Sequence, residues 1–370
     1  MDEINHMIGY EKRTGIKYIC HMNTTGYSIA ARGYIAALVF AGYDVTVTTI
    51  GNVEPILDDN INNKITSYCY NRKIDYDKVI IHTVPNDFEK YIEENCKNYG
   101  LTVWESSELP EEWIPMLKKP YAIIVPCSWN KKLFSDHIKN VGVVHHVINY
   151  KKVLPLKVAE NKFMFYTIGE WCRRKNLDKL ISVFNSLFKN KNDAVLYIKT
   201  FTFPSILSKD EAEKIYDKYR SDKVIINSDK VDDDFISSLH ERGNVYVSYS
   251  SGEAVGLGSV EAAKHGNIVI APNYGGHRDY LKGSYLTNFR EIPCDPCDDY
   301  HKKCEEDFCN HYIWYNKDYQ TWAEPDEKDM KKYMLKAYNE RKNKEINLFV
   351  EENFSHSAIG KEFINFFNNL

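Results

Sequence analysis

Residues 250–266 read SSGEAVGLGSVEAAKHG. Glu253 and Glu261 bracket Gly256, Leu257, Gly258 and Ser259. The strand-like NVYVSYS precedes this loop. A short helical stretch follows it, with Ser259 as its expected cap and Gly266 as its expected end. Open α/β sheets bind ligands at the carboxyl ends of their strands. The glycines let the backbone come close to a ligand, and the free N–H groups of a helix start suit an anion such as a diphosphate. Carboxylates are poor partners for phosphate. Glu253 and Glu261 are better suited to accept hydrogen bonds from neutral hydroxyls, as on ribose or another sugar. Phosphate in the middle with hydroxyls on both sides describes a nucleotide sugar. The competing reading is a surface loop with a solvated acid at a helix start.

Working outward, strands and helices alternate along most of the chain. IKYICHM (16–22) reads as a strand, and a helix capped by Ser28 and ended by Gly42 follows it. YDVTVTTI, KVIIHTV (78–84), LTVWE (101–105), YAIIVPCS (121–128) and GVVHHVIN (142–149) read as further strands. The charged stretch 149–162 has no clear period and reads as a linker. The pattern then restarts with FMFYTIG (163–169), the basic loop CRRKN, and a helix with Leu177, Leu180, Ile181, Phe184, Leu187 and Phe188 on one face. AVLYIKTF, KVIINS, NVYVSYS and NIVIAPN supply its remaining strands. This is an α/β protein with two doubly wound units in series. The expected domains are residues 1–152, joined by a C-terminal helix at about 355–370, and residues 153–354.

Bulk properties narrow the function. A chain of 370 residues fits two domains, and an apolar share of 43% supports sizeable cores. A formal net charge of -4 gives no electrostatic support for nucleic-acid binding. Nine scattered cysteines favour a reducing compartment. The acidic start MDEINHMIGYEKR has no apolar signal core, and no stretch is long and apolar enough to span a bilayer. The expectation is a cytoplasmic protein without a transmembrane segment, with peripheral membrane contact left open.

The glutamate pair resembles the glutamate–seven residues–glutamate motif of retaining glycosyltransferases of family 4, which have the GT-B fold. FYTIGEWCRRKNLDKLISVF (165–184), NIVIAPNYGGHRDYL (267–281) and TWAEPD (321–326) resemble that family's donor domain. TVWESSELPEEWIPML (102–117) and IVPCSWNKKLF (124–134) resemble the acceptor domain of one subgroup. FSHSAIGKEFINFF (354–367) resembles the last helix, which in that fold returns to the first domain.

The resemblance implies two Rossmann-like doubly wound domains facing each other across a cleft. It implies transfer of a sugar from a UDP- or GDP-sugar to a hydroxyl of a glycan or other acceptor, with no cofactor and no metal. Glu253 corresponds to the acid that contacts the donor sugar, and Glu261 to the one that holds the ribose. Backbone groups of Gly256, Leu257, Gly258 and Ser259 would face the sugar and diphosphate. Arg174 and Lys175 correspond to the pair that neutralises the diphosphate, where fixed cations stabilise a leaving group that gains charge. Gly26 and Tyr27 fall in the loop that borders phosphates and acceptor.

Glu105 stands where many relatives carry a histidine, and is expected to orient acceptor or donor hydroxyls. His82 is a second acceptor-side candidate, and His277 a residue that approaches the donor or packs its loop. Ala254 and Gly258 replace the glycine and proline of many relatives. Cys294, Cys297, Cys304 and Cys309, with His301 and His311 nearby, are weighed as structural zinc ligands against unpaired thiols in an insertion. A different class of function, a non-catalytic nucleotide-sugar or glycan-binding module on the same fold, would keep the loop without turnover.

Overall fold

The computed structural model describes residues 13–53, 60–148, 153–202, 208–295 and 314–370. The chain forms two compact units. One comprises residues 1–104, 111–151 and 348–370, and the other residues 105–110 and 152–347.

The first unit holds a six-stranded sheet, all parallel. Its strands are β1 (Gly15–His21), β2 (Asp44–Ile50), β3 (Tyr76–His82), β4 (Lys97–Leu101), β5 (Ala122–Val125) and β6 (Val141–Val143). Their order is β2-β1-β3-β4-β5-β6, so the direction of winding reverses between β1 and β3. A parallel bridge between Val47 and Tyr70 extends the pairing beyond β2. The helix Gly26–Phe40 is apolar nearly all round and buried from Ala30 to Val39, as expected of a helix covered on both sides. The C-terminal helix His356–Asn368 packs on it. A Cβ built at Gly360 would come 2.9 Å from the Ala37 carbonyl oxygen and 3.0 Å from the Ala41 Cβ.

The second unit repeats the plan with β7 (Phe163–Glu170), β8 (Ala194–Phe201), β9 (Val224–Asn227), β10 (Val245–Val247), β11 (Ile268–Pro272) and β12 (Tyr285–Thr287). These strands are parallel, in the order β12-β11-β10-β7-β8-β9, and the winding reverses between β7 and β10. A separate antiparallel pair, β13 (Phe289–Pro293) with β14 (Thr321–Pro325), follows. Phe165, Phe184, Phe188 and Tyr338 are buried against one another in this unit's core.

Several elements differ from the sequence reading. Ser28 does not cap its helix, because the helix begins at Gly26 with Thr25 as its cap residue. Ser28 Oγ instead donates to the His21 carbonyl at 2.8 Å and accepts from the Asn23 N–H at 3.1 Å. The strand expected at 101–105 lies at Lys97–Leu101. There the buried Asn98 satisfies its side chain on the carbonyls of Glu93 and Cys96, at 2.8 and 2.9 Å. The strand expected at 142–149 is confined to β6. Beyond it the His145 N–H donates to Glu362 and the Ile148 N–H to the Phe354 carbonyl, so the backbone leaves the sheet for the C-terminal segment.

The tight crossing at Gly360 yields a prediction. Gly360→Leu should destabilise the protein by about 1–3 kcal/mol through overpacking. Denaturant unfolding should show it as a lower midpoint, with Gly360→Ala falling between the variant and wild type.

Candidate functional site

At the reversal point of the second unit, β7 and β10 run side by side and each feeds a loop at its carboxyl end. Beyond β7, Cys172 is extended and Arg173–Lys175 make one 3₁₀ turn. Asn176 takes the left-handed conformation (φ 50°) before the helix Leu177–Phe188. Asparagine tolerates that conformation better than most residues. Its side chain ties the two loops together, donating to Ser251 Oγ at 2.6 Å and to the Tyr249 carbonyl at 3.3 Å. The Ser251 N–H donates back to the Arg174 carbonyl at 2.8 Å.

This lacing gathers the charges. Lys175 Nζ donates to Glu253 Oε1. Arg174 Nη1 donates to the Gly252 carbonyl at 2.6 Å and lies 3.8 Å from Glu253 Oε2. Arg174 Nη2 lies 3.4 Å from Glu105 Oε1, and the Tyr315 hydroxyl donates to Glu105 Oε2 at 2.6 Å. Burial pushes the pKa of Glu253 up, but Lys175 and then Arg174 outweigh it and hold the carboxyl at about 2. Burial also opposes charge on Arg174, and Glu105 and Glu253 overcome it. Of the two cations, Lys175 keeps more of its side chain exposed, 19% against 10%.

The helix after the loop spans Leu257–Lys264 and opens from Gly256, whose φ of 74° is left-handed and strained for residues with a Cβ. Ser259 is therefore not the cap. It lies inside the first turn with its N–H on the Gly256 carbonyl at 2.9 Å, and is buried. The N–H groups of Leu257 and Gly258 donate to no group among the described residues. Gly258 rests on the Tyr246 hydroxyl, where an added Cβ would come within 2.5 Å. Glu261, on the same helix, has Oε2 3.5 Å from His240 Nε2. Gly266 ends the helix in the left-handed region, as expected.

The other candidate residues are placed as follows. Glu105 groups with the second unit, in the segment Glu105–Pro110, where Ser107 and Thr321 exchange hydrogen bonds. His277 is fully buried with Nδ1 3.1 Å from the Pro272 carbonyl, so Nδ1 carries the proton there. Burial lowers its pKa, with Glu253 and the Pro272 bond opposing, and it packs under Gly256.

Gly26, Tyr27 and His82 belong to the first unit, at the reversal point between β1 and β3. His82 is buried, with Nδ1 2.9 Å from the Tyr18 hydroxyl and its ring 5.3 Å from that of Tyr27. Burial, then His146 and His21, hold its pKa well down. Cys294 is a buried thiol, while Cys297, Cys304, Cys309, His301 and His311 lie outside the described residues. Among the described residues no group of His, Cys, Asp or Glu is set to hold a metal, and no helix is long and apolar enough to cross a membrane.

Two grooves of about 390 and 350 Å³ share Lys179, Arg290 and Glu324, and neither is lined by Lys175, Glu253 or Glu261. Glu324 is engaged there by both cations. The chemistry points to the loop ends rather than to the larger groove. Asn176, Ser251, Tyr315 and His240 are the site residues that the sequence reading did not single out.

Known structures share this architecture. Sucrose-phosphate synthase from Thermosynechococcus elongatus aligns with 96% of the chain and 99% of its own, at a TM-score of 0.62 and 15% identity. HepE from Anabaena in complex with UDP-glucose aligns with 96% of the chain and 100% of its own, at a TM-score of 0.59 and 11% identity. The fold is GT-B. This GT-B chain also aligns, over 79% of its length, with a TarM variant from S. aureus in complex with fondaparinux, alpha-GlcNAc-glycerol and UDP, at 18% identity and a TM-score of 0.49. The chain spans 55% of that TarM chain. Residues 151–294 match the family model described as Glycosyl transferases group 1. The matched stretch contains Arg174, Lys175, Glu253 and Glu261. No curated protein matches in sequence.

The depressed pKa of Glu253 makes stability depend on pH. Its folded value of about 2 lies below the ordinary 4.5, so its contribution is complete above about pH 4.5 and is lost as the pH falls toward 2. Glu253→Gln takes a charge partner from the buried Arg174 and the half-buried Lys175 and should cost about 3 kcal/mol at neutral pH. Denaturant titrations at neutral and acid pH should show the variant losing less stability on acidification than wild type.

Proposed function

We propose that the chain is a retaining glycosyltransferase of the family 4 kind. It moves a sugar from a UDP- or GDP-sugar to a hydroxyl of a glycan or other acceptor. The observation that carries this reading is the Lys175–Glu253 pair at the β7/β10 reversal point, beside a helix start with unengaged N–H groups. HepE was solved with UDP-glucose, which supports UDP as the first donor to test.

In this reading the diphosphate lies at the N–H groups of Leu257 and Gly258, with Ser259 in the same turn and Lys175, the more exposed cation, beside it. As the glycosidic bond breaks, its electron pair goes to the diphosphate oxygen, and these fixed charges stabilise it without reorganising. Arg174, held by Gly252, Glu105 and Glu253, supplies a fixed positive charge behind the loop rather than a reaching side chain. Glu253 stays ionised at every pH of interest, accepts hydroxyl protons of the donor sugar, and places negative charge near a carbon that becomes cationic.

The acceptor hydroxyl attacks from the face the diphosphate leaves. Its proton passes to the departing phosphate oxygen, so no protein base is needed. Glu261 receives the ribose hydroxyls. Gly26 and Tyr27 are assigned to the phosphate and acceptor border, and His82 to the acceptor side. Buried as it is, His82 acts through the Tyr27 ring that lies against it.

A thermal-shift panel of UDP, GDP, ADP and their sugar conjugates tests the donor. One nucleotide family should raise the melting temperature, and no shift at millimolar concentration would sink the reading. With a donor in hand, Lys175→Ala should lower turnover by about 100-fold or more, the scale of losing a transition-state charge contact. Proton NMR of the fresh product should show the donor's anomeric configuration, and inversion would contradict the mechanism.

A further inference from the structure

We propose that His240 is a positioning residue for Glu261 and, through it, for the ribose of the nucleotide. The inference rests on the reading of Glu261 as the ribose carboxylate. His240 lies near the end of the helix Asp233–Arg242 and is 1% exposed. The direction in which its ring donates is fixed by a relay on its far side.

Asn267 Nδ2 lies 2.7 Å from the His240 carbonyl oxygen. That contact sets the amide, because an oxygen in its place would face another oxygen. The same Nδ2 lies 2.9 Å from the Tyr166 hydroxyl, which therefore accepts from Asn267. The Tyr166 hydroxyl lies 2.8 Å from His240 Nδ1. Burial keeps this phenol protonated, and its own proton points to that nitrogen. An accepting Nδ1 leaves the ring proton on Nε2, which is the atom 3.5 Å from Glu261 Oε2.

The ring is also clamped against rotation. It stacks on His265 at 5.6 Å and 19° and meets the Tyr166 and Tyr246 rings at 5.6 and 6.1 Å. Glu241 is taken up on the outer side, with Oε2 3.5 Å from His265 Nδ1. An N–H dipole 3.5 Å from one oxygen of Glu261 attracts that oxygen, favouring one rotamer and leaving the other oxygen for the ribose. Pre-set orientation lowers the ordering cost of binding.

The test compares dissociation constants for UDP and 2′,3′-dideoxy-UDP, with GDP and ADP pairs in reserve, in wild type, Glu261→Ala, His240→Phe, His240→Gln and Tyr166→Phe. Wild type should prefer the ribonucleotide. His240→Phe should lose up to about tenfold in ribonucleotide affinity, the scale of one net polar contact, with the dideoxy affinity unchanged. His240→Gln, which keeps an N–H donor, should recover part of the preference. Tyr166→Phe keeps the ring and breaks the relay, and should shift the preference in the same direction as His240→Phe. Preference lost in Glu261→Ala but intact in His240→Phe and Tyr166→Phe overturns the inference alone. Equal loss for both ligands in the His240 variants marks a merely structural role and also overturns it. If Glu261→Ala keeps the preference, the ribose reading of Glu261 falls and the inference with it.

Discussion

A buried carboxylate between a buried and a half-buried cation, on loops from neighbouring strands, is the constraint on which the second unit depends. Glu253 is nearly enclosed, and a carboxylate there is tolerable only with Lys175 and Arg174 beside it. Those cations come from the loop after β7, and the carboxylate from the loop after β10. The pairing of β7 with β10 at the reversal of winding is what brings them together. Asn176 and Ser251 then fix the spacing of the two loops with hydrogen bonds of their own. Fixed charge at this place, beside a helix start, is what a leaving diphosphate requires.

The same helix is supported from beneath. Tyr246 reaches up to Gly258, and Tyr166 meets Tyr246 edge-on at 5.1 Å. Tyr166 in turn holds His240, which faces Glu261. The two acids of the opening stretch are thus supported differently. Glu253 is held by opposite charge, and Glu261 faces the His240 ring. In the proposed function the first meets the donor sugar and the second the ribose.

Much of the frame was legible in the sequence. β1, β3, β7 and β8 sit in parallel sheets covered on both faces, so they read as near-continuous apolar runs. The β7 and β10 loops stood out by their charges and glycines. Other features had only weak local signal. β6 and β10 span three residues each, and their flanks look equally strand-like. Both predicted serine caps failed for one reason. A glycine stands at the helix opening, Gly26 as its first residue and Gly256 as its cap residue, and the serine lies in the first turn facing the protein. The Tyr315–Glu105 bond joins residues 210 positions apart, and nothing local announces either partner. The tautomer of His240 depends on Asn267 and Tyr166, which only the folded chain places together.

The most direct test of the account is how much of the binding energy comes from the second phosphate. Titration calorimetry of a nucleoside, its monophosphate and its diphosphate into wild type and Lys175→Met isolates that quantity. The account predicts a diphosphate bound about tenfold or more tighter than the monophosphate in wild type, as a charge-assisted contact should provide. It predicts that most of this gain vanishes in Lys175→Met. Equal affinities for mono- and diphosphate in wild type, or a gain that survives the loss of Lys175, would contradict it.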